Sequence, residues 1–115
     1  MPTWQIDVPA RAERELRDLP AEIKAQFLRV AELIERNGPH EIDGKYVRPL
    51  RGKLWEIRLR GRDGIARAIY ATVTERRVII LSFFEKKTQK KPLREIEKAE
   101  KRFEEWQREQ DARRD

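Results

Sequence analysis

The sequence predicts an α+β fold: an antiparallel sheet with an N-terminal strand and a helical hairpin packed on it, and a C-terminal helix. Three observations lead there. The runs Leu54–Arg60, Gly64–Tyr70 and Val78–Phe84 are apolar or alternating, with glycine or charged residues between them, as in adjacent antiparallel strands. Before them, apolar residues recur at helical spacing; after them, Pro92 opens a second helical pattern. With 115 residues, the chain is expected to form one domain over residues 1–115, large enough for a single core.

The elements follow in order. Trp4 to Val8 alternates apolar and polar residues, the period of a half-buried strand. Pro9 ends it and suits the first turn of a short helix over about Ala10 to Asp18, with Ala12, Leu16 and Leu19 inward. Pro20 starts a second helix whose apolar stripe is Ile23, Phe27, Val30 and Ile34, with Lys24, Arg29, Glu32 and Arg36 elsewhere on the wheel. Asn37-Gly38-Pro39 stops it, because glycine accepts a left-handed cap and proline cannot continue the helix. The two helices, joined at Leu19-Pro20, form the hairpin.

His40 to Gly44 reads as a loop, and Tyr46 to Leu50 as a short extended lead into the sheet. In the next strand Trp55, Ile57 and Leu59 share one face, and Glu56, Arg58 and Arg60 the other. Gly61 to Gly64 is a turn. Arg67 then lies on a face with Ile65 and Ile69, opposite Ala66, Ala68 and Tyr70; an arginine on an apolar face is the oddity of this strand. Thr74 to Arg77 is a second turn. Val78 to Phe84 is apolar on both faces apart from Ser82, as in a strand covered on two sides. The last helix begins at Pro92, carries Glu95 and Glu97 where carboxylates complement the helix dipole, and turns Leu93, Ile96, Ala99, Phe103 and Trp106 inward. The tail over residues 110–115 is polar and expected to fray.

Charged residues make up 42% of the chain and hydrophobic ones 38%, so the core is compact and the surface ionic. Lys and Arg outnumber Asp and Glu by 27 to 21, a formal charge of +6 that favours an anionic partner: nucleic acid, an acidic protein or an anionic membrane surface. The chain has no cysteine, which excludes disulfide and thiol chemistry. No apolar run approaches membrane length, and the start M-P-T-W-Q-I-D lacks the regions of a signal peptide. The expectation is a soluble cytoplasmic protein with no membrane partner.

Familiar catalytic sets are missing. The only histidine, His40, follows a Gly-Pro turn and is distant in sequence from the basic strands. No His/Cys/Asp cluster has metal spacing, and no glycine-rich phosphate loop occurs, so neither metal nor cofactor is expected. What remains is cationic: Lys53, Arg58 and Arg67 from the sheet, and Lys86, Lys87, Lys90 and Lys91 at its end. Clustered ammonium groups lower one another's pKa, and a lysine so lowered can serve as a base beside an arginine that grips a phosphate. RNA brings its own nucleophile, the 2′-OH beside the scissile phosphate, so a protein need only orient the backbone and neutralise charge on phosphorus.

Each choice has a plainer alternative. Arg67 can be structural, paired with Glu56 or Glu85. Lys86 and Lys87 can protect a sheet edge. Phe83 and Phe84 point to opposite faces, which leaves one of them to reach a bound base. Trp55, Phe103 and Trp106 fit as core.

The stretches R-G-K-L-W-E-I-R, G-I-A-R-A-I-Y and V-I-I-L-S-F-F-E-K-K-T-Q-K-K-P-L-R-E-I-E-K-A-E-K-R resemble toxins of type II toxin–antitoxin systems, in the phage-derived HigB-like group of the RelE/ParE superfamily. The resemblance spans about Lys45 to Arg102. Its most specific part is Phe84, Lys86, Lys87, Thr88, Pro92, Glu95, Ile96, Ala99 and Arg102. It implies a RelE-like fold and a ribosome-dependent mRNA endonuclease, needing no cofactor or metal, that inhibits translation. The implied partners are the ribosome, mRNA and a cognate antitoxin with a helix-turn-helix DNA-binding domain. Carried over residue by residue, it makes Arg67, Lys86 and Lys87 the catalytic candidates. Lys53, Arg58, Phe84, Lys90 and Lys91 are the RNA-binding candidates. Glu56 stands where RelE itself has a basic residue, and neither tyrosine, Tyr46 or Tyr70, lies in the C-terminal motif. Within the same superfamily the alternative is a ParE-like, non-enzymatic inhibitor of DNA gyrase; outside it, a basic RNA-binding accessory protein.

Overall fold

The computed structural model describes residues 3–62, 64–74, 76–88 and 90–113. The elements run β1 (Gln5–Asp7), α1 (Ala10–Arg17), α2 (Ala21–Asn37), one 3₁₀ turn (Pro39–Glu41), β2 (Val47–Arg51), β3 (Leu54–Gly61), β4 (Gly64–Val73), β5 (Arg77–Glu85) and α3 (Leu93–Arg113). The five strands form one sheet in the order β1-β5-β4-β3-β2.

Strands β2 to β5 are antiparallel neighbours, as short connections require. The N-terminal strand, whose direction the sequence left open, joins the sheet at its other edge: β1 runs parallel to β5, Ile6 beside Val78. Its partner lies some 70 residues later, and so long a connection leaves strand direction free. The two intended turns at Gly61–Gly64 and Thr74–Arg77 each include a position, Asp63 and Glu75, outside the described residues.

Helices α1 and α2 cover one face. Ile23, Phe27, Val30 and Ile34 of α2 and Ala12 of α1 bury against Ile57, Leu59, Ala66, Ala68, Tyr70, Val78, Ile80 and Phe83. Phe27 and Phe83 meet edge to face at 4.8 Å. Helix α3 covers half of the other face, setting Ile96, Ala99 and Phe103 on Leu54, Ile69, Ala71, Ile79 and Leu81. Leu93 was expected to join that stripe but is 51% exposed, while Ile96, three residues on, is fully buried in it. The tail expected to fray stays helical through Arg113, and residues 114–115 lie outside the described ones. No helix among the described residues is long and apolar enough to cross a membrane.

Alternation along β5 is broken once. Ile69 pairs with Ser82 but Tyr70 pairs with Ile80, so Leu81 is an extra residue, a β-bulge. Before it, even-numbered residues Val78 and Ile80 face the helix pair; after it, Phe83 does. The bulge therefore turns Phe84 to the opposite face, in register with Arg67. Without it, Phe84 would compete for the core that Phe83 fills.

Gly38 ends α2 with φ +84°, its N–H bonded to Ile34 O at 2.7 Å. A Cβ there would stand 2.6 Å from Trp4 Nε1. Gly38→Ala combines left-handed strain with that clash, and thermal unfolding should register a loss of about 2–3 kcal/mol. An unchanged melting temperature would show that Trp4 moves aside at no cost.

Candidate functional site

Beyond the reach of α3, the half of the face nearest the β3–β4 connection is bare. Alternation brings Glu56, Arg58 and Arg60 of β3 and Ile65 and Arg67 of β4 to it. Arg58 and Arg67 are direct cross-strand partners, and so are Arg60 and Ile65. On β2, Arg48 stands opposite Glu56. Beyond the start of β2, the chain at Tyr46 still accepts a hydrogen bond from Arg58 N–H at 2.6 Å, which keeps Lys45 and Tyr46 beside β3. After β5, Lys86 N–H donates to Ile65 O at 2.8 Å, fixing Lys86 beside β4. On the free edge of β3, Gln26 of α2 accepts from Arg60 N–H.

These residues line one open cleft of about 690 Å³: Lys45, Arg48, Arg58, Arg60, Arg67 and Lys86, with Gln26, Tyr46 and Ile65. Six cations drawn from four strands or their ends share it, and among the described residues no carboxylate lines it. Lys45 Nζ lies 5.2 Å from the centre of the Tyr46 ring. Ile65, 37% exposed, supplies an apolar surface among the charges.

Arg67 is only 8% exposed and Glu56 4%. Arg67 Nε is 3.6 Å from Glu56 Oε2, and Arg58 Nε is 3.8 Å from Glu56 Oε1. Arg67 also donates from Nη1 to Ala66 O at 3.1 Å. The structural pairing weighed for Arg67 is thus present with Glu56, while Glu85 is exposed. Burial lowers the Arg67 pKa from its ordinary value; Glu56 opposes that, and Arg58, Arg60 and Arg48 reinforce it. An arginine stays protonated regardless, so the surroundings leave a cation short of compensating charge. A phosphate placed in the cleft would supply it.

Of the residues singled out from sequence, Arg58, Arg67 and Lys86 converge on the cleft. Phe84 is half-buried beside Arg67, packed on the α3 side of the core. Lys53 does not converge. It sits in the β2–β3 turn, at the far end of β3 from Arg60, and lines a separate depression with Thr72, Arg77 and Trp106. Lys87, Lys90 and Lys91 are exposed in the connection between β5 and α3 and do not line the cleft, because the chain leaves the sheet after Lys86. Lys45, Tyr46, Arg48, Arg60 and Gln26 were not singled out. Tyr46 enters the cleft from the start of β2, not from the C-terminal motif.

Residues 14–104 match the family described as phage derived protein Gp49-like. The chain belongs to that family. Among solved structures, this Gp49-like protein is similar to a variant of the E. coli toxin RelE in its free state, with a TM-score of 0.54 and 21% identity over 72% of this chain and 82% of that one. It is also similar to an archaeal RelE–RelB complex from Pyrococcus horikoshii OT3, again with a TM-score of 0.54, at 25% identity over 72% of this chain and 94% of that one. The Gp49-like chain therefore has the RelE fold. A comparison with curated proteins gives no match.

Proposed function

We propose that this Gp49-like protein is the toxin of a type II toxin–antitoxin system, an HigB-like endoribonuclease that cuts mRNA on the ribosome. The single observation that carries the reading is the convergence of Arg48, Arg58, Arg60, Arg67, Lys45 and Lys86 on one cleft in a RelE fold. In the reaction, the RNA 2′-OH gives up its proton and its oxygen bonds to the adjacent phosphorus. The P–O5′ bond breaks and the leaving oxygen takes a proton, leaving a 2′,3′-cyclic phosphate and a 5′-OH. Arg58 and Arg67 hold the phosphate oxygens as charge builds, which is where fixed donors contribute most. Lys86 and Tyr46 bring exchangeable protons to the same cleft. The exposed Lys87, Lys90 and Lys91 meet flanking phosphates of the mRNA or ribosome.

Among the described residues the cleft lining holds neither a histidine nor a carboxylate to act as base, so turnover relies on the ribosome to orient the mRNA, an effect of several kcal/mol in general. A cytoplasmic setting follows from that substrate. The antitoxin, a small protein with a helix-turn-helix domain, covers the basic cleft or blocks docking on the ribosome. The +6 charge favours an acidic contact surface on it.

Expression without a partner should arrest growth, and primer extension should find new 5′ ends inside translated codons. In purified form, ribosome-bound mRNA should be cut and free RNA cut slowly, unaffected by a chelator selective for transition metals with magnesium left to hold the ribosome together. Linearised or supercoil-altered DNA would point instead to gyrase inhibition. Arrest with neither mark, or equal cutting of free and ribosome-bound RNA, would sink the proposal.

A further inference from the structure

Glu56 is out of place in a site for polyanions. It does not line the cleft but sits buried behind it, and a carboxylate there repels any phosphate that binds in front. Its position relative to the two central arginines explains the placement. Arg58 and Arg67 are directly opposite each other on β3 and β4, and like charges so placed repel. The carboxylate divides itself between them, Oε1 toward Arg58 Nε and Oε2 toward Arg67 Nε. Both Nε atoms are buried and have no hydrogen-bond partner, so Glu56 is what compensates these inner edges. The outer N–H groups, apart from the one that Arg67 gives to Ala66 O, remain for the cleft.

We infer that Glu56 is a positioning residue: it holds Arg58 and Arg67 together as one clamp for a single phosphodiester of RNA. The kinetic part of this inference rests on the RNA-cleaving reading above; the binding part does not. Without the carboxylate the two guanidinium groups separate, each taking a solvent-facing conformation of its own. They remain attractive to RNA as loose charges, yet no longer address one phosphate jointly. Binding and turnover then move in opposite directions when the charge is removed, which a merely structural role would not produce.

The test uses the full chain carrying Glu56→Gln, Glu56→Asp, Arg67→Ala and the Gln/Ala double change, with a short single-stranded RNA as the binding probe. Arg67→Ala should weaken RNA binding about tenfold in the wild-type background and less than about threefold alongside Glu56→Gln, since Arg67 grips the phosphate fully only while Glu56 holds it in place. Equal effects in both backgrounds would overturn the inference, whether or not the protein cleaves RNA. On ribosome-bound mRNA, Glu56→Gln should bind at least as tightly as wild type while kcat falls about 10- to 100-fold, with an unaltered pH profile. A wild-type kcat, or loss of the acidic limb of the profile, would remove the positioning role; the latter would make Glu56 the proton acceptor. Glu56→Asp keeps the charge balance that the fold needs but falls one methylene short, so kcat should be intermediate; full activity would also overturn the inference. If the wild-type chain cuts no mRNA, the toxin reading fails alone and the binding cycle still decides this one.

Discussion

Arg67→Ala should, on the proposed reading, reduce mRNA cleavage by about 10²–10³-fold, enough to relieve growth arrest, because it would remove a fixed donor from the place where negative charge develops. Arg67 is held mid-strand, 8% exposed, with its neighbours Ala66 and Ala68 packed in the core on the opposite face. It is not a loop side chain whose place a nearby lysine can take. Arg67→Lys should recover only part of the rate, since an ammonium is a point charge without the planar fork that grips two oxygens. The Ala variant will also lose stability. Breaking a buried pair costs about 3–5 kcal/mol when the remaining charge is left alone. Here Glu56 keeps Arg58 at 3.8 Å, so a loss of about 1–3 kcal/mol is expected, with a melting temperature lower by about 10 °C. Melting curves and cleavage assays on the same purified variant separate the two effects, provided cleavage is measured well below the variant's transition. A folded Arg67→Ala protein that cuts at the wild-type rate would take Arg67 out of the site.

Much of this arrangement was legible in the chain. Helical spacing identified Ile23, Phe27, Val30 and Ile34 as a buried stripe, and strand alternation put Arg58 and Arg67 on the face that proved bare. Neither depends on distant contacts. The side chains that were missed do. Tyr46 and Lys45 reach the cleft only because the chain before β2 follows β3, and the register of that pair shifts between Pro49 and Arg51, an irregularity with no local signature. The direction of Phe84 depends on the bulge at Leu81, which only the pairing with β4 reveals. The separation of Lys53 from the cleft was also legible. Along an extended strand at about 3.3 Å per residue Lys53 stands some 20 Å from Arg60, too far to share a phosphate. Arg60 itself carried a usable signal, alternating with Arg58 on the same face. Glu15 carried none, since its partners are nearly 70 residues and more away in sequence.

Glu15 is where a large and pH-dependent loss of stability is expected. Strand β1 ends its pairing at Asp7 beside Ile79, so β5 continues past it as an open edge. Two side chains close that edge: Glu15 of α1 accepts from Phe83 N–H at 3.2 Å, and Arg102 of α3 donates to Leu81 O at 2.8 Å. Arg102 also donates to Glu15 at 2.7 Å, and Lys98 does so at 2.9 Å. The helices on opposite faces are thereby joined across the sheet, which holds α3 over the apolar patch and leaves the cationic half uncovered. Arg11–Glu105 makes a similar bridge, but it is exposed and contributes little. Burial pushes the Glu15 pKa up, yet the hydrogen bonds from Arg102, Lys98 and Phe83 N–H outweigh it and hold the carboxyl below its ordinary 4.5. A group with a depressed folded pKa stabilises fully above its unfolded value, and the contribution fades as pH falls through the folded value. Glu15→Gln keeps the shape and an acceptor for Phe83 but removes the charge. At pH 7 it should cost about 2–3 kcal/mol, or about 10 °C in melting temperature. The gap between wild type and variant should then narrow as pH is lowered below 4.5, where the unfolded chain's carboxyl takes up its proton before the folded one does, and close once pH passes the folded value. Melting curves of both proteins from pH 7 to pH 3 measure this directly. A gap that stays constant across that range would mean that the network stabilises the fold through packing, not through the ionised carboxylate.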